Sequence, residues 1–453
     1  MPLHLRPTMV ALGLLLFPAA ELEAATTTFS PAKVISSTTG GARCVYAADL
    51  DNDGKSDVLA ASEFNRTIAW YRNTGSAFDP QPFISNGIYI PSALYAADLD
   101  KDGKLDVLAA LSSHDMIVWY KNTGGAFGPQ QIISNSAYNA SAVYAADLDG
   151  DPALDLDVLA AVPPFDRIVW YENDPFKYPP SRFGSELVIS NSAEHASAVF
   201  AADLDNDGDP DVLSASAGLP GKISWYKNMD GLGAFSLPLD ISTDVLGFSS
   251  VFAADLDADG ALDVLAASAD LGGSHGKLAW HRNNGSGSFV SQPDISTTVD
   301  ARSVLAADLD DDGDLDVLVA SSADDTIAWY ENTNGQGLFG PQQVISANAL
   351  GAVSVFAADL DNDGDLDALS ASYADHTIAW YENHLYSPPA PDTGGNSGGS
   401  GGGGGCSLTP SAGSGPVGPL GLDWLLLLAA MLLVRLRRPA LLRPALRKPI
   451  RTN

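Results

Sequence analysis

The chain has 453 residues, 45% of them apolar, and 56 acidic against 24 basic side chains leave a formal charge of −32. The apolar share is ample for a core, and the acidic surplus argues against nucleic acid and against electrostatic binding to anionic lipid. Cys44 and Cys406 are the two cysteines, too few for a disulfide framework, so stability must come from elsewhere.

Residues 1–25 have the order of a secretory signal. His4 and Arg6 precede an apolar run over 9–20, and the small residues Ala24 and Ala25 are placed for cleavage. The mature chain is expected to start near Thr26 and to be exported.

Between Asp49 and Asp367 one nine-residue pattern recurs seven times, most fully as Asp359-Leu-Asp-Asn-Asp-Gly-Asp-Leu-Asp367. The copies open at Asp49, Asp98, Asp147, Asp203, Asp255, Asp308 and Asp359, with spacings of 49 to 56 residues. Such a period suits a four-stranded blade or a pair of helices. The runs flanking each loop, such as Ser354-Val-Phe-Ala-Ala358 before and Asp316-Val-Leu-Val-Ala-Ser321 after, are too short for helices and predict strands. A third run follows a turn and ends in aromatics, from Ile68-Ala-Trp-Tyr71 to Ile378-Ala-Trp-Tyr381, and holds seven of the eight tryptophans. A fourth follows a Gly/Asn/Phe/Pro loop: Phe83-Ile-Ser85, Ile132-Ile-Ser134, Val188-Ile-Ser190, Asp240-Ile-Ser242, Asp294-Ile-Ser296 and Val344-Ile-Ser346.

Val34-Ile-Ser36 lies before the first loop, whereas no such run follows the last aromatic strand. The N-terminal strand is therefore expected to complete the last blade. Residues 26–386 then form an all-β, seven-bladed β-propeller of four-stranded blades, a closed ring without a free blade face. The Ala-Ala pairs on the first strands suit close packing near the axis. The regularly spaced tryptophans suit packing between blades better than stacking on sugars.

Several carboxylates in one tight loop repel one another unless a hard cation sits between them. Ca²⁺ takes six to eight oxygens, which positions 1, 3, 5 and 9 and the carbonyl of position 7 can supply while glycine at position 6 makes the turn. The expected ligands are Asp49, Asp51, Asp53, Lys55 and Asp57 in the first loop, and Asp98, Asp100, Asp102, Lys104 and Asp106 in the second. The fourth offers Asp203, Asp205, Asp207, Asp209 and Asp211, and the fifth Asp255, Asp257, Asp259, Ala261 and Asp263. The sixth offers Asp308, Asp310, Asp312, Asp314 and Asp316, and the seventh Asp359, Asp361, Asp363, Asp365 and Asp367. The third keeps the spacing with Asp147, Asp149, Asp151 and Asp155, but Pro152 stands where glycine belongs and two residues are added, which counts against its filling. An EF-hand is excluded, because its twelfth position is a bidentate Glu and here it is Ala60, Ala109, Ser214, Ala266, Val319 or Ser370.

These repeats look like the FG-GAP/VCBS propellers, the fold family that includes the integrin α-chain head. The resemblance runs over roughly residues 30–384, and Phe127-Gly-Pro, Phe339-Gly-Pro and Phe78-Asp-Pro match the family's loop signature. It implies that each Asp-rich loop joins the first two strands of a blade and binds Ca²⁺.

Loops between fourth and first strands should emerge on the face opposite the Asp-rich loops. They carry Gly40, Tyr89, Tyr138, Glu194, Leu246, Asp300 and Leu350, with Asn139, His195, Phe248 and Arg302 beside them. Varied residues on a fixed scaffold suit a recognition surface for a protein or glycan. Insertions over 173–182 and 268–277 are further contact points. No catalytic motif occurs. The expected function is a non-catalytic binding or adhesion module, with a carbohydrate-binding lectin or Ca²⁺-dependent polysaccharide lyase as the alternative. A lyase would need a basic or tyrosyl cluster in one cleft.

Residues 387–418 are rich in Pro, Gly and Ser and should form a flexible tether. Residues 419–453 hold an apolar run over 420–434, short for a permanent span, and then seven Lys/Arg. Glycine tract, short apolar helix and basic end resemble the tripartite sorting signals of bacterial surface proteins, the GlyGly-CTERM type. That resemblance implies membrane contact through the C-terminal helix before processing near residues 401–406, with Cys406 open to modification. It places the product at the bacterial cell surface, in the outer membrane or outside the cell.

Overall fold

Strands form because each repeat alternates short apolar runs with Asp, Asn and Gly turns. The computed structural model describes residues 26–386 apart from 152–154, 180, 219, 246, 270–275 and 298. The expected signal, tether and sorting segment lie outside the described residues, as do Cys406 and Pro152. Among the described residues no helix is long and apolar enough to cross a membrane.

The first strands are Ala42–Ala48, Pro91–Ala97, Ala142–Ala146, Ala196–Ala202, Phe248–Ala254, Ala301–Ala307 and Ala352–Ala358. They neighbour one another in cyclic order and close the ring. Each pairs antiparallel with a six-residue second strand that is buried throughout, from Asp57–Ser62 to Asp367–Ser372. Third and fourth strands follow outward, giving seven sheets of at least four strands. Lys33–Ser36 pairs with Thr377–Tyr381 and completes the last blade, as the count of runs requires. A second clasp, unforeseen from the sequence, pairs Thr26–Phe29 with Asn383–Tyr386.

Two expected fourth strands are displaced. In the first blade Phe78–Pro80 pairs with 71–73 and Ser85–Asn86 with 67–68, and in the fifth Phe289–Ser291 pairs with 281–283 while Ser296 only bridges Leu278. The reason is Pro82 and Pro293, which stand where Gln131 and Gln343 pair with a tryptophan in the second and sixth blades. Proline has no N–H for the ladder, so the strand splits around it.

Seven tryptophan–phenylalanine pairs, edge to face with centroids 5.7–6.5 Å apart, lie at the seven blade junctions. The tryptophans are nearly fully buried, so they pack blades together and do not face ligands. The N-terminal strand supplies the seventh phenylalanine: Phe29 meets Trp329, and Phe29-Ser-Pro-Ala-Lys-Val-Ile-Ser36 repeats the spacing of Phe339-Gly-Pro-Gln-Gln-Val-Ile-Ser346. Further in, the first strands carry a chain of touching rings, Phe356, Tyr46, Tyr95, Tyr144, Phe200 and Phe252, with centroids 4.6–5.3 Å apart.

Candidate metal centres

Each Asp-rich loop joins the first and second strands of its blade. The position-1 carboxylate shapes it: Asp49 Oδ1 accepts from Asp53 N at 3.0 Å and its Oδ2 from Gly54 N at 2.8 Å. Asp98, Asp203, Asp255 and Asp308 repeat both bonds. Asp359 keeps the bond from Gly364. The glycine at position 6 has φ between +83° and +106° in all six loops that have it, a conformation that a side chain would strain. The position-7 residues Lys55, Lys104, Asp209, Ala261, Asp314 and Asp365 donate their N–H to the carboxylate at position 5.

This folding brings carboxylates together. Oxygens of Asp49, Asp51 and Asp53 lie within 4.8 Å of one another, as do those of Asp98, Asp100 and Asp106, of Asp203, Asp205 and Asp211, and of Asp255, Asp257 and Asp259. The donor set fits a hard divalent cation, and one further observation supports that fit. Oδ1 of Asp100, Asp205, Asp257 and Asp310, all at position 3, is buried and accepts no hydrogen bond; Oδ2 of the first three pairs with Lys121, Lys227 or Arg282, whereas among the described residues Asp310 has no ion pair. A desolvated carboxylate oxygen without a partner is costly unless a cation meets it.

The third loop corrects the sequence count. Asp157, not Asp155, stands at its ninth position: Oδ2 accepts from Leu148 N at 2.9 Å, Oδ1 accepts from Asn173 N at 2.8 Å, and its carboxylate joins those of Asp147 and Asp149. The two added residues fall before this anchor, so counting nine places stops short of it. Asp151 donates its N–H to Asp149.

The ninth-position carboxylates also close a circuit that the sequence did not disclose. Asp57 accepts from Leu50 N, the Leu50 carbonyl accepts from Asn122 Nδ2 in the next blade, and Asn122 N donates to Asp106. The same three links repeat through Leu99, Asn173 and Asp157, then Leu148, Asn228 and Asp211, then Leu204, Asn283 and Asp263. They continue through Leu256, Asn332 and Asp316, through Leu309, Asn383 and Asp367, and through Leu360 and Asn73 back to Asp57, with every link at 2.6–3.2 Å. An unbroken ring of hydrogen bonds thus passes through all seven Asp-rich loops. Repetition of Asn two residues beyond the Trp-Tyr or Trp-His pair was the signal that could have revealed it.

Burial is the main influence on these carboxyls. It pushes Asp57 up to about 6, Asp106, Asp211, Asp263 and Asp367 to about 7, and Asp157 and Asp316 to about 8, although two backbone N–H groups oppose the shift in each.

The opposite face separates the expected ligand residues. Phe248 is 0% exposed: it opens a first strand and packs in the core, so its ring is closed to a ligand. Asp300 is 6% exposed and accepts from Ser322 Oγ at 2.6 Å, and Arg302 Nε donates to the same Ser322 oxygen. Asn139 and His195 have positive φ and donate their N–H groups to Asp115 and Asp166, so they shape the turns. Glu194 lies beside Gly218.

Tyr138 remains on the surface, paired with Phe165 at 5.3 Å, whereas Tyr89 is partly buried against the core and paired with His114 at 4.7 Å. Phe64 adds a third, 5.3 Å from Tyr373 and 5.7 Å from His376. Tyr138, Phe165 and Phe64 are 52%, 47% and 57% exposed. His114, Phe165, Phe64 and Tyr373 sit in turns between second and third strands, not in the loops between fourth and first strands.

The FG-GAP-like repeat model matches residues 49–109, 98–158, 154–214, 203–266, 255–319 and 308–370. No curated protein matches the chain. Among solved structures, the crystal structure of BBS1N in complex with ARL6DN, soaked with mercury, is similar at 12% identity and a TM-score of 0.53, covering 79% of this chain and 97% of that one. The same complex soaked with lead gives 11% and 0.54 over the same shares. At that identity the likeness supports the fold alone.

Proposed function

The chain belongs to the FG-GAP-like repeat family, and from that premise we propose an exported, calcium-loaded propeller that serves as a non-catalytic binding or adhesion module at the cell surface. The observation that carries this reading is the contrast between the two faces. One carries an acidic loop in every blade and has desolvated position-3 oxygens suited to Ca²⁺, whereas the other holds aromatic pairs at successive blade junctions, with Phe64, Tyr138 and Phe165 exposed. The bound ion would screen carboxylates that otherwise repel one another. Asp49, Asp51, Asp53 and their counterparts would hold it, and the rigid ring would present Phe64, Tyr138 and Phe165 to a protein or glycan.

The aromatic pairs favour a lectin as the second reading, since exposed ring faces stack on sugars. The tyrosyl cluster on the first strands does not favour a lyase. Burial pushes the hydroxyls of Tyr46, Tyr95 and Tyr144 up, the wrong direction for a tyrosinate base at neutral pH.

A glycan array probed with and without Ca²⁺ separates the readings. Hits lost in the combined variant Phe64→Ala, Tyr138→Ala identify a lectin using this face, a blank array directs the search to protein partners, and shortening of a polymer identifies a lyase. Hits unchanged in that variant would remove the aromatic face from the proposal. Mass spectrometry of the mature ends tests processing at Ala25 and near Cys406.

A further inference from the structure

One position sorts the seven loops into two electrostatic kinds. The residue after the aromatic pair on each third strand is Arg72, Lys121, Glu172, Lys227, Arg282, Glu331 or Glu382 in blade order. Where it is basic, it reaches into its own blade's loop. Arg72 pairs with Asp51 and Asp53, Lys121 with Asp100 and Asp102, Lys227 with Asp205 and Asp207, and Arg282 with Asp257 and Asp259. In these four loops a tethered cation already bridges positions 3 and 5.

In the other three blades a carboxylate takes that place. Glu172, Glu331 and Glu382 stand at the third-strand position from which Arg72, Lys121, Lys227 and Arg282 reach positions 3 and 5, so each places a negative charge where those blades place a positive one. Their own partners differ. Glu172 is held by Lys177 at 2.6 and 2.7 Å, and Glu382 pairs with Lys33. Glu331 accepts from Gln343 Nε2 at 3.1 Å, an uncharged donor. Among the described residues no ion pair is found at Asp308, Asp310, Asp312 or Asp316, and Asp310 Oδ1 is buried without a partner.

Resting on the calcium reading, we propose that the loops are two classes of calcium site set by this third-strand residue: tight where a glutamate adds an oxygen ligand, weak where the ion must displace a lysine or arginine. Ligand charge sets calcium affinity in loops of this kind. The sixth site is the tightest, because among the described residues Glu331 has no cationic partner. The seventh follows, and the third is the weakest of its class, with Lys177 on Glu172 and an altered loop. Ions would therefore fill the ring unevenly, and at intermediate calcium the first, second, fourth and fifth loops would keep their internal ion pairs.

The test is calcium titration of the full-length chain, stripped with chelator, by isothermal calorimetry at fixed ionic strength. The wild type is expected to show two phases. Glu331→Lys should remove one ion from the tight phase, weakening that site on the order of tenfold or more, and Lys121→Glu should move one ion from the weak phase to the tight. Glu331→Gln, nearly isosteric, should give an intermediate loss and guards against a folding defect in the lysine variant, with circular dichroism confirming the fold of each. Uptake in a single phase, or two phases unmoved by either exchange, overturns the two-class inference and leaves the calcium reading standing. Failure to take up any ion overturns both.

Discussion

The two faces of the ring obey different rules. On the acidic face every blade repeats the same hairpin, the same ninth-position carboxylate and the same asparagine link to its neighbour. On the opposite face the turns differ from blade to blade, with aromatic pairs between the seventh and first, first and second, and second and third blades. Repetition marks what the ring needs for closure, because a fault at one junction opens the whole ring. Variation marks positions that closure does not constrain and that are therefore free to recognise something.

If the acidic face is the structural one, removing its ion should have the largest effect. Each filled site adds about 2.7 kcal/mol at a hundredfold excess over its Kd. Chelation of the calcium-loaded protein should lower Tm on the order of 10 °C or more, followed by scanning calorimetry with EGTA. A melt unmoved by EGTA would break the contrast between the faces at its base.

Proton binding offers a second way to separate them. In the metal-free protein the ninth-position carboxyls titrate at about 6 to 8, whereas unfolded aspartate titrates near 3.9. Between those values the folded state holds more protons than the unfolded state, so metal-free stability falls as pH rises through that window. Calcium needs the ionised form, and its stabilisation grows with pH. Dialysed, metal-free protein should melt on the order of 5 °C higher at pH 5 than at pH 7.5, and calcium should reverse the order. An apo melt that rises with pH over this range would contradict the burial assigned to Asp57, Asp106 and Asp316.

Much of this was legible in the sequence because it is periodic. Seven Asp-rich loops, seven aromatic strands and one displaced Val34-Ile-Ser36 run fix the number of blades and their closure. What was missed depends on partners distant in the chain. Phe29 has meaning only opposite Trp329, and Asn73 only beside the Leu360 carbonyl. The burial of Phe248 follows from strand register, since it occupies the place of Ala301 and Ala352 in other blades and pairs with Ser268 as they pair with Ser321 and Ser372. Asp157 was miscounted because an insertion moved a spatially fixed anchor along the chain.

The asparagine ring allows a sharper comparison at single-residue scale. Asn122→Ala leaves the buried Leu50 carbonyl without its donor and removes a second bond to Leu105. An orphaned buried group costs about 1–3 kcal/mol, so the variant should lose on the order of 2–3 kcal/mol by chemical denaturation. The loss should persist with calcium present, because the ion does not replace that donor. Retained stability in Asn122→Ala would mean that the circuit follows from closure and contributes little to it.

The smallest stability effect belongs to the other face. Tyr138 is half exposed and contacts chiefly Phe165, so Tyr138→Ala should change stability by about 0.5 kcal/mol or less. Phe64→Ala removes contacts with Tyr373 and His376 and should cost little more. Near-neutral stability with lost ligand or surface adhesion is the outcome that assigns recognition to these rings. If instead either variant destabilised as much as Asn122→Ala, the rings would be closing the ring as the tryptophans do, and the aromatic turns would be one more structural seam. The decisive quantity is therefore the ratio of binding loss to stability loss, high on the aromatic face and low on the acidic one.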